Sequence, residues 1–284
     1  MDEAWPRRMW RTLEPVHALT YFAPESTEAL KASGLRGYWM CYFAARSAPM
    51  GAASAPVVEA SFYNFAPWLV RRAIPDAWSF AAPDDVLEAR WQGVADALGP
   101  HAAALPAASL ATARSLLDRA VDGLCCDGRG LAAGNASLPL PDDPLAATWQ
   151  LITTLREFRG DGHLAALVCA GLSGIEAHVT MVGAGAVTRE VLRAARGFTD
   201  DEWDDTERSL RDRGLLEEDG TLSDAGRALR GDVEAATDRA AAAPWSRIGD
   251  EGCEELASVL APLCESIART GVIPSINPIG LPSG

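Results

Sequence analysis

The sequence predicts a mainly α-helical protein: an N-terminal helical region over 1–140, packed with a C-terminal region over 141–284 that carries a small β-hairpin. Three observations predict it. Apolar residues recur at three- and four-residue steps along most of the chain. Residues 188–243 hold an ordered series of helix-capping signals closed by glycines. Apolar residues make up 48% of the 284, enough for a sizeable core, and the nine tryptophans suit shaped packing or a ligand cavity.

Taken in order, 7–20 reads as a helix on the spacing of Trp10, Leu13, His17 and Tyr21. Residues 26–47 read as two helical pieces separated by Gly34 and Gly37, the second with Tyr38, Trp39, Tyr42 and Phe43 on an aromatic face. Pro49 and Gly51 break the chain, and a single helix is expected over 57–72, stopped before Pro75. Asp84 and Asp85, after Pro83, open a helix that ends near Gly99. Between 99 and 145 only 107–122 reads as helix, and 125–144 reads as loop. A helix over 144–158 is expected to halt at 159–163 (RGDGH), and the next to run from His163 to about Leu172, with Asp161 or Gly162 at its cap.

Residues 188–243 carry the clearest local pattern. A short helix from Thr188 closes at Gly197, and Thr199 with Glu202 forms a capping box for the next, which ends at Gly214. Leu215 to Leu222, turning at Asp219-Gly220, reads as a two-stranded ribbon, and Ser223 caps the helix that follows. Helix, turn, helix, hairpin, helix is the order of a winged helix, so the expected fold is a helical region packed with a winged-helix-like domain.

The formal net charge is −14, which repels phosphate backbones and anionic membranes, so nucleic-acid binding would need a local basic face. The second helix of the pair instead opens with Asp200, Asp201, Glu202, Asp204, Asp205 and Glu207, and the ribbon adds Glu217, Glu218 and Asp219. On that pattern nucleic acid is a disfavoured partner. The first eleven residues lack the apolar core of a signal peptide, and no apolar run approaches a membrane span. The least polar stretch, 164–187, is broken by glycines, Glu176 and His178. None of the six cysteines forms a CxxC pair. Together these predict a soluble, cytoplasmic protein with reduced thiols and no membrane partner.

The densest polar constellation is Arg156, Glu157, Arg159, Asp161 and His163, where the two glycines would let the backbone turn sharply. At a helix N-terminus His163 would stay neutral and could act as acid or base, with Asp161 orienting it and Arg159 anchoring an anionic group. Plain capping by Asp161 and pairing of Arg159 with Glu157 explain the same residues. His17 and Tyr21, one helical turn apart, join Tyr38, Tyr42, Asn64, His178 and Trp245 as candidates to line a ligand pocket. HExxH spacing, GxGxxG, Walker and GxSxG motifs are absent, so no metal or cofactor is evident; an axial histidine for haem is left open.

Several stretches together carry a family likeness: 13–22 (LEPVHALTYF), 35–39 (LRGYW), 64–67 (NFAP), 159–167 (RGDGHLAAL) and 237–245 (TDRAAAAPW). They resemble an actinobacterial family of helix-turn-helix, MarR-like proteins, sometimes termed SalK-like. That resemblance implies the fold and broad class and supplies no catalytic residues. The residues themselves favour a small-molecule-binding protein, a non-redox enzyme of specialised metabolism of isomerase, cyclase or hydrolase type. Two alternatives stand beside it: a ligand-responsive MarR-like transcriptional regulator, and a metabolite-sequestering binding protein. The expected partner is a small molecule, and a homodimer is left open.

Overall fold

The computed structural model describes residues 5–103 and 105–281, which form fifteen α-helices. The first group comprises α1 (Trp5–Phe22), α2 (Pro24–Ala32), α3 (Gly37–Ser47), α4 (Ala55–Ser61), α5 (Pro67–Arg71), α6 (Ala77–Phe80) and α7 (Pro83–Ala102). Then come α8 (Ala107–Val121), α9 (Gly130–Ala136) and the long α10 (Pro144–Cys169). Last are α11 (Gly174–Gly183), α12 (Arg189–Arg196), α13 (Asp200–Asp212), α14 (Asp224–Ala240) and α15 (Ala243–Thr270).

The organising element is α10. Asp143 caps it, one carboxylate oxygen accepting from the amides of Leu145 and Ala146 at 2.9 Å, and Pro144 occupies its first turn. It is apolar nearly all round, as a central helix should be, and packs against α1, α7, α8, α9 and α14. Its first half joins α1, α7, α8 and α15 in one core around Trp149, Met9 and Leu117. Its end, Leu167, joins a second core made by α11 to α14 around Leu192, Trp203 and Leu210. A third cluster, rich in aromatics, holds α3 to α6 against α7.

Three expectations are corrected here. First, α10 does not halt at 159–163. Gly160 and Gly162 are helical, and a Cβ at Gly162 would lie 2.8 Å from the Arg129 guanidinium and 3.0 Å from the Ala240 methyl. The glycine is there for close approach of α9's flank and α14, not for a turn. Second, the expected β-hairpin is not a hairpin. Among the described residues there is no strand, only an isolated bridge between Leu216 and Leu222. Two cross-strand bonds, from the Glu217 amide to the Thr221 carbonyl and from the Ser223 amide to the Leu215 carbonyl, make that one bridge, and the outward-facing Leu222 amide donates to the Gly183 carbonyl of α11. The fold is therefore all-helical, and the winged-helix assignment fails at its wing. Third, 57–72 is two helices, split at Phe62–Ala66 before Pro67, and the expected loop 125–144 contains α9.

The capping logic of the next segment holds. Thr199 and Glu202 form the reciprocal capping box of α13, Gly197 closes α12 at φ +83°, and Ser223 caps α14. Among the described residues, no single helix is long and apolar enough to cross a membrane.

Candidate functional site

A cavity of about 550 Å³ lies where α1 and α10 meet α11, α12 and α14, roofed in part by 278–280. Because α10 is unbroken, Arg159 and His163 sit one turn apart on its cavity face. Asp161 is directed elsewhere, accepting the Ala132 amide at 2.9 Å at the start of α9. Burial pushes its carboxyl up to about 6. It therefore serves a first-turn amide of α9 and neither caps a helix of its own segment nor orients His163.

His163 donates from Nδ1 to the Thr237 hydroxyl at 2.9 Å, because that hydroxyl already donates to the Val233 carbonyl. Its Nε2 is thus the unprotonated nitrogen. His178, on α11, donates from Nε2 to the Asn64 carbonyl at 2.9 Å, which leaves its Nδ1 bare. Both rings are neutral: burial lowers His163 to about 4 and His178 to about 3, with Arg196 adding to the latter. Asn64 also lines the cavity, and its Oδ1 has no partner.

The other expected ligand-binding residues do not converge here. His17 and Tyr21 are buried outside the cavity's lining, joined at 2.7 Å, with His17 stacked on Trp149 and bonded to Thr153. Tyr42 packs on Tyr21 and accepts from Arg46, whereas Tyr38 is 43% exposed. Trp245 is buried in the α1/α15 core beside a separate crevice with Trp10.

Two groups of arginines distinguish the site. Arg156 and Arg46 both hold Glu157, at 2.9 and 3.0 Å, and Arg156 also reaches Glu14 at 3.6 Å. Burial opposes the Glu157 charge, yet these two guanidiniums hold it down at about 2. Arg7 and Arg159 share Asp238 and Glu234. Arg196 and Arg230, by contrast, have no carboxylate ion pair among the described residues; they donate to the Pro278 carbonyl at 2.8 Å and the Thr180 hydroxyl at 3.2 Å. Neither had been singled out from the sequence. A signal existed for Arg196: it lies four residues after fully buried Leu192, on the apolar stripe of α12.

Arg196 is also the last residue of α12. Gly197, Phe198 and Thr199 turn the chain into α13, and this turn is held from outside: the Ala66 amide donates to the Arg196 carbonyl at 2.9 Å, and the Trp68 indole to the Gly197 carbonyl at 2.7 Å. Both helices pack on α11 and are joined by this three-residue turn. A helix-turn-helix family matches residues 6–274.

The chain belongs to that helix-turn-helix family.

No curated protein matches the chain, and no solved structure does. Membership in the helix-turn-helix family overturns the enzyme reading, because such a family points to a DNA-binding regulator rather than to a catalyst. In this family member the acids of α13 are partly neutralised. Arg189 spans Asp200, Asp204 and Glu207, Arg193 adds to Asp200, and Arg208 pairs with Asp205. Glu202 is used in the capping box.

Proposed function

We propose that the protein is a ligand-responsive transcriptional regulator whose effector occupies the arginine-lined cavity. The observation that carries the reading is the position of Arg196. It lines the cavity and is the residue from which the α12–α13 turn departs. An effector that binds one orientation of this side chain more tightly than another shifts the angle between α12 and α13, which is how an effector site biases a reading head. The finer likeness to MarR-like and SalK-like proteins supports the same reading.

The charge of α13 sets how it would meet a duplex. Asp201, Asp205 and Asp212 are exposed, so like-charge repulsion limits the phosphate contacts, and the exposed cations Arg208 and Arg213 would have to exchange Asp205 and Glu176 for a phosphate. The test is fluorescence anisotropy with a duplex from the region upstream of its own gene, across a salt series. Specific binding with a shallow salt dependence is expected, strengthened by Asp201→Asn with Asp205→Asn. Absence of any duplex binding at low salt would overturn the regulator reading.

A further inference from the structure

Burying a guanidinium without a counter-ion is costly, and proteins ordinarily avoid it by pairing the charge. Arg196 is 8% exposed, its Nε has no hydrogen-bond partner, and the titratable groups acting on it are another arginine, Arg46, and the tyrosine hydroxyls of Tyr42, Tyr38 and Tyr21. Among the described residues its ring contact is the face of Phe65 at 4.5 Å. Arg230 stands in the same cavity, where its nearest acid, Glu234, is already engaged by Arg7 at 2.8 Å. Two cations therefore face one partly open cavity without a carboxylate ion pair among the described residues, because Glu14 and Glu234, which also line it, are engaged by other arginines.

Arg7, Arg156 and Arg159 also line the cavity but are held by carboxylates, Arg11 lines it as an exposed side chain, and His163, His178 and Asn64 supply acceptors. Nε2 of His163 and Nδ1 of His178 carry lone pairs, fixed as such by the bonds to Thr237 and Asn64, and Asn64 Oδ1 is buried and unpartnered. Leu167, Leu172, Met181 and Val233 supply apolar wall. Donors clustered as cations, acceptors clustered as neutral imidazoles, and an apolar floor specify a ligand with the complementary set.

We propose that this cavity binds an organic carboxylate that also carries a hydroxyl: the carboxylate on the free edges of Arg196 and Arg230, the hydroxyl donating to His163 or His178, and an apolar body against Leu167 and Met181. An arginine edge takes a carboxylate through two parallel bonds, which an amide cannot match. The inference deepens the regulator reading by naming its effector class, but its test needs no duplex.

Isothermal titration of the full chain with mandelate, phenylacetate, mandelamide and inorganic phosphate at neutral pH separates the contributions. Mandelate is expected to bind. Phenylacetate, lacking the hydroxyl, should bind about tenfold more weakly, and mandelamide, lacking the charge, more than about thirtyfold more weakly. Arg196→Gln should abolish mandelate binding while leaving the helical circular dichroism unchanged. If that variant fails to fold, the ligand comparison on the natural chain decides alone. Equal binding of mandelate and mandelamide, no binding of either at millimolar concentration, or tighter binding of phosphate than of mandelate would each overturn the inference. Carboxylate binding without duplex binding would sink the regulator reading and leave this site standing; the reverse would sink this site only.

Discussion

Arg46 and Arg196 are both buried guanidiniums laid over phenylalanine rings, Phe62 at 4.4 Å and Phe65 at 4.5 Å, yet only Arg46 has a carboxylate. Around Arg46 the charges close on themselves: Glu157 takes both Arg46 and Arg156, and Glu14 takes Arg156 and the Trp10 indole. Around Arg196 they do not close. The difference separates a polar network that holds helices together from a polar surface left for something else. A satisfied network is lost when one member goes, whereas an unsatisfied cation costs stability by being there.

The largest effect is expected at the closed network. Glu157→Gln removes the one negative charge that Arg46 and Arg156 share, while the side chain is only 4% exposed, so no water replaces it. A loss of about 3–5 kcal/mol is expected, the range for stranding buried partner charges, read as a lowered midpoint in urea unfolding. A loss below about 1 kcal/mol would mean that the network is not what ties α3 to α10.

Acid should act on the two regions differently. Glu157 stays ionised until about pH 2, so the closed network does not titrate in mild acid. The neutral histidines do, through the unfolded state. Burial lowers His163 to about 4, His178 to about 3 and His17 well below its ordinary value, so between pH 6.5 and 4 the unfolded chain binds more protons at each. Stability is therefore present above pH 6.5 and falls as pH falls, by about 1.4 kcal/mol per histidine per pH unit. Asp161, raised to about 6, has the opposite sign and offsets roughly one histidine below that pH. Urea midpoints measured between pH 7.5 and 5 check this; a flat profile would show the cavity to be open to water.

What the sequence could and could not disclose follows from the range of each interaction. Thr199, Glu202, Gly197, Gly214 and Ser223 were legible because a cap is satisfied within four residues of itself. The glycines at 160 and 162 were misread because their partners, Arg129 and Ala240, are distant in the chain, and a glycine needed for contact looks the same as one needed for a bend. The same misreading grouped Asp161 with His163, when an unbroken helix turns them to different sides. Four of the expected residues, Arg159, His163, Asn64 and His178, do share the cavity. The ribbon was overread for a related reason: Leu215 to Leu222 has turn chemistry and closes one bridge, but turn chemistry does not fix how far pairing extends beyond it, and the outward Leu222 amide is taken by α11.

The smallest effect on stability, and the sharpest contrast with Glu157, is expected at Arg196. Replacing Arg196 by Met forfeits one bond to the Pro278 carbonyl and the stacking on Phe65, each worth about 1 kcal/mol. It also removes a charge that burial opposes, with Arg46 adding to it, and no carboxylate ion pair among the described residues lowers the cost of holding it there. These contributions have opposite sign, so the unfolding midpoint should move by no more than about 1 kcal/mol, in either direction. Arg46→Met, its geometric counterpart, should lose several times as much because it strips Glu157 of a partner. Equal losses at the two positions would mean that Arg196 is satisfied within the chain itself, and that the cavity has no charge waiting for an anion.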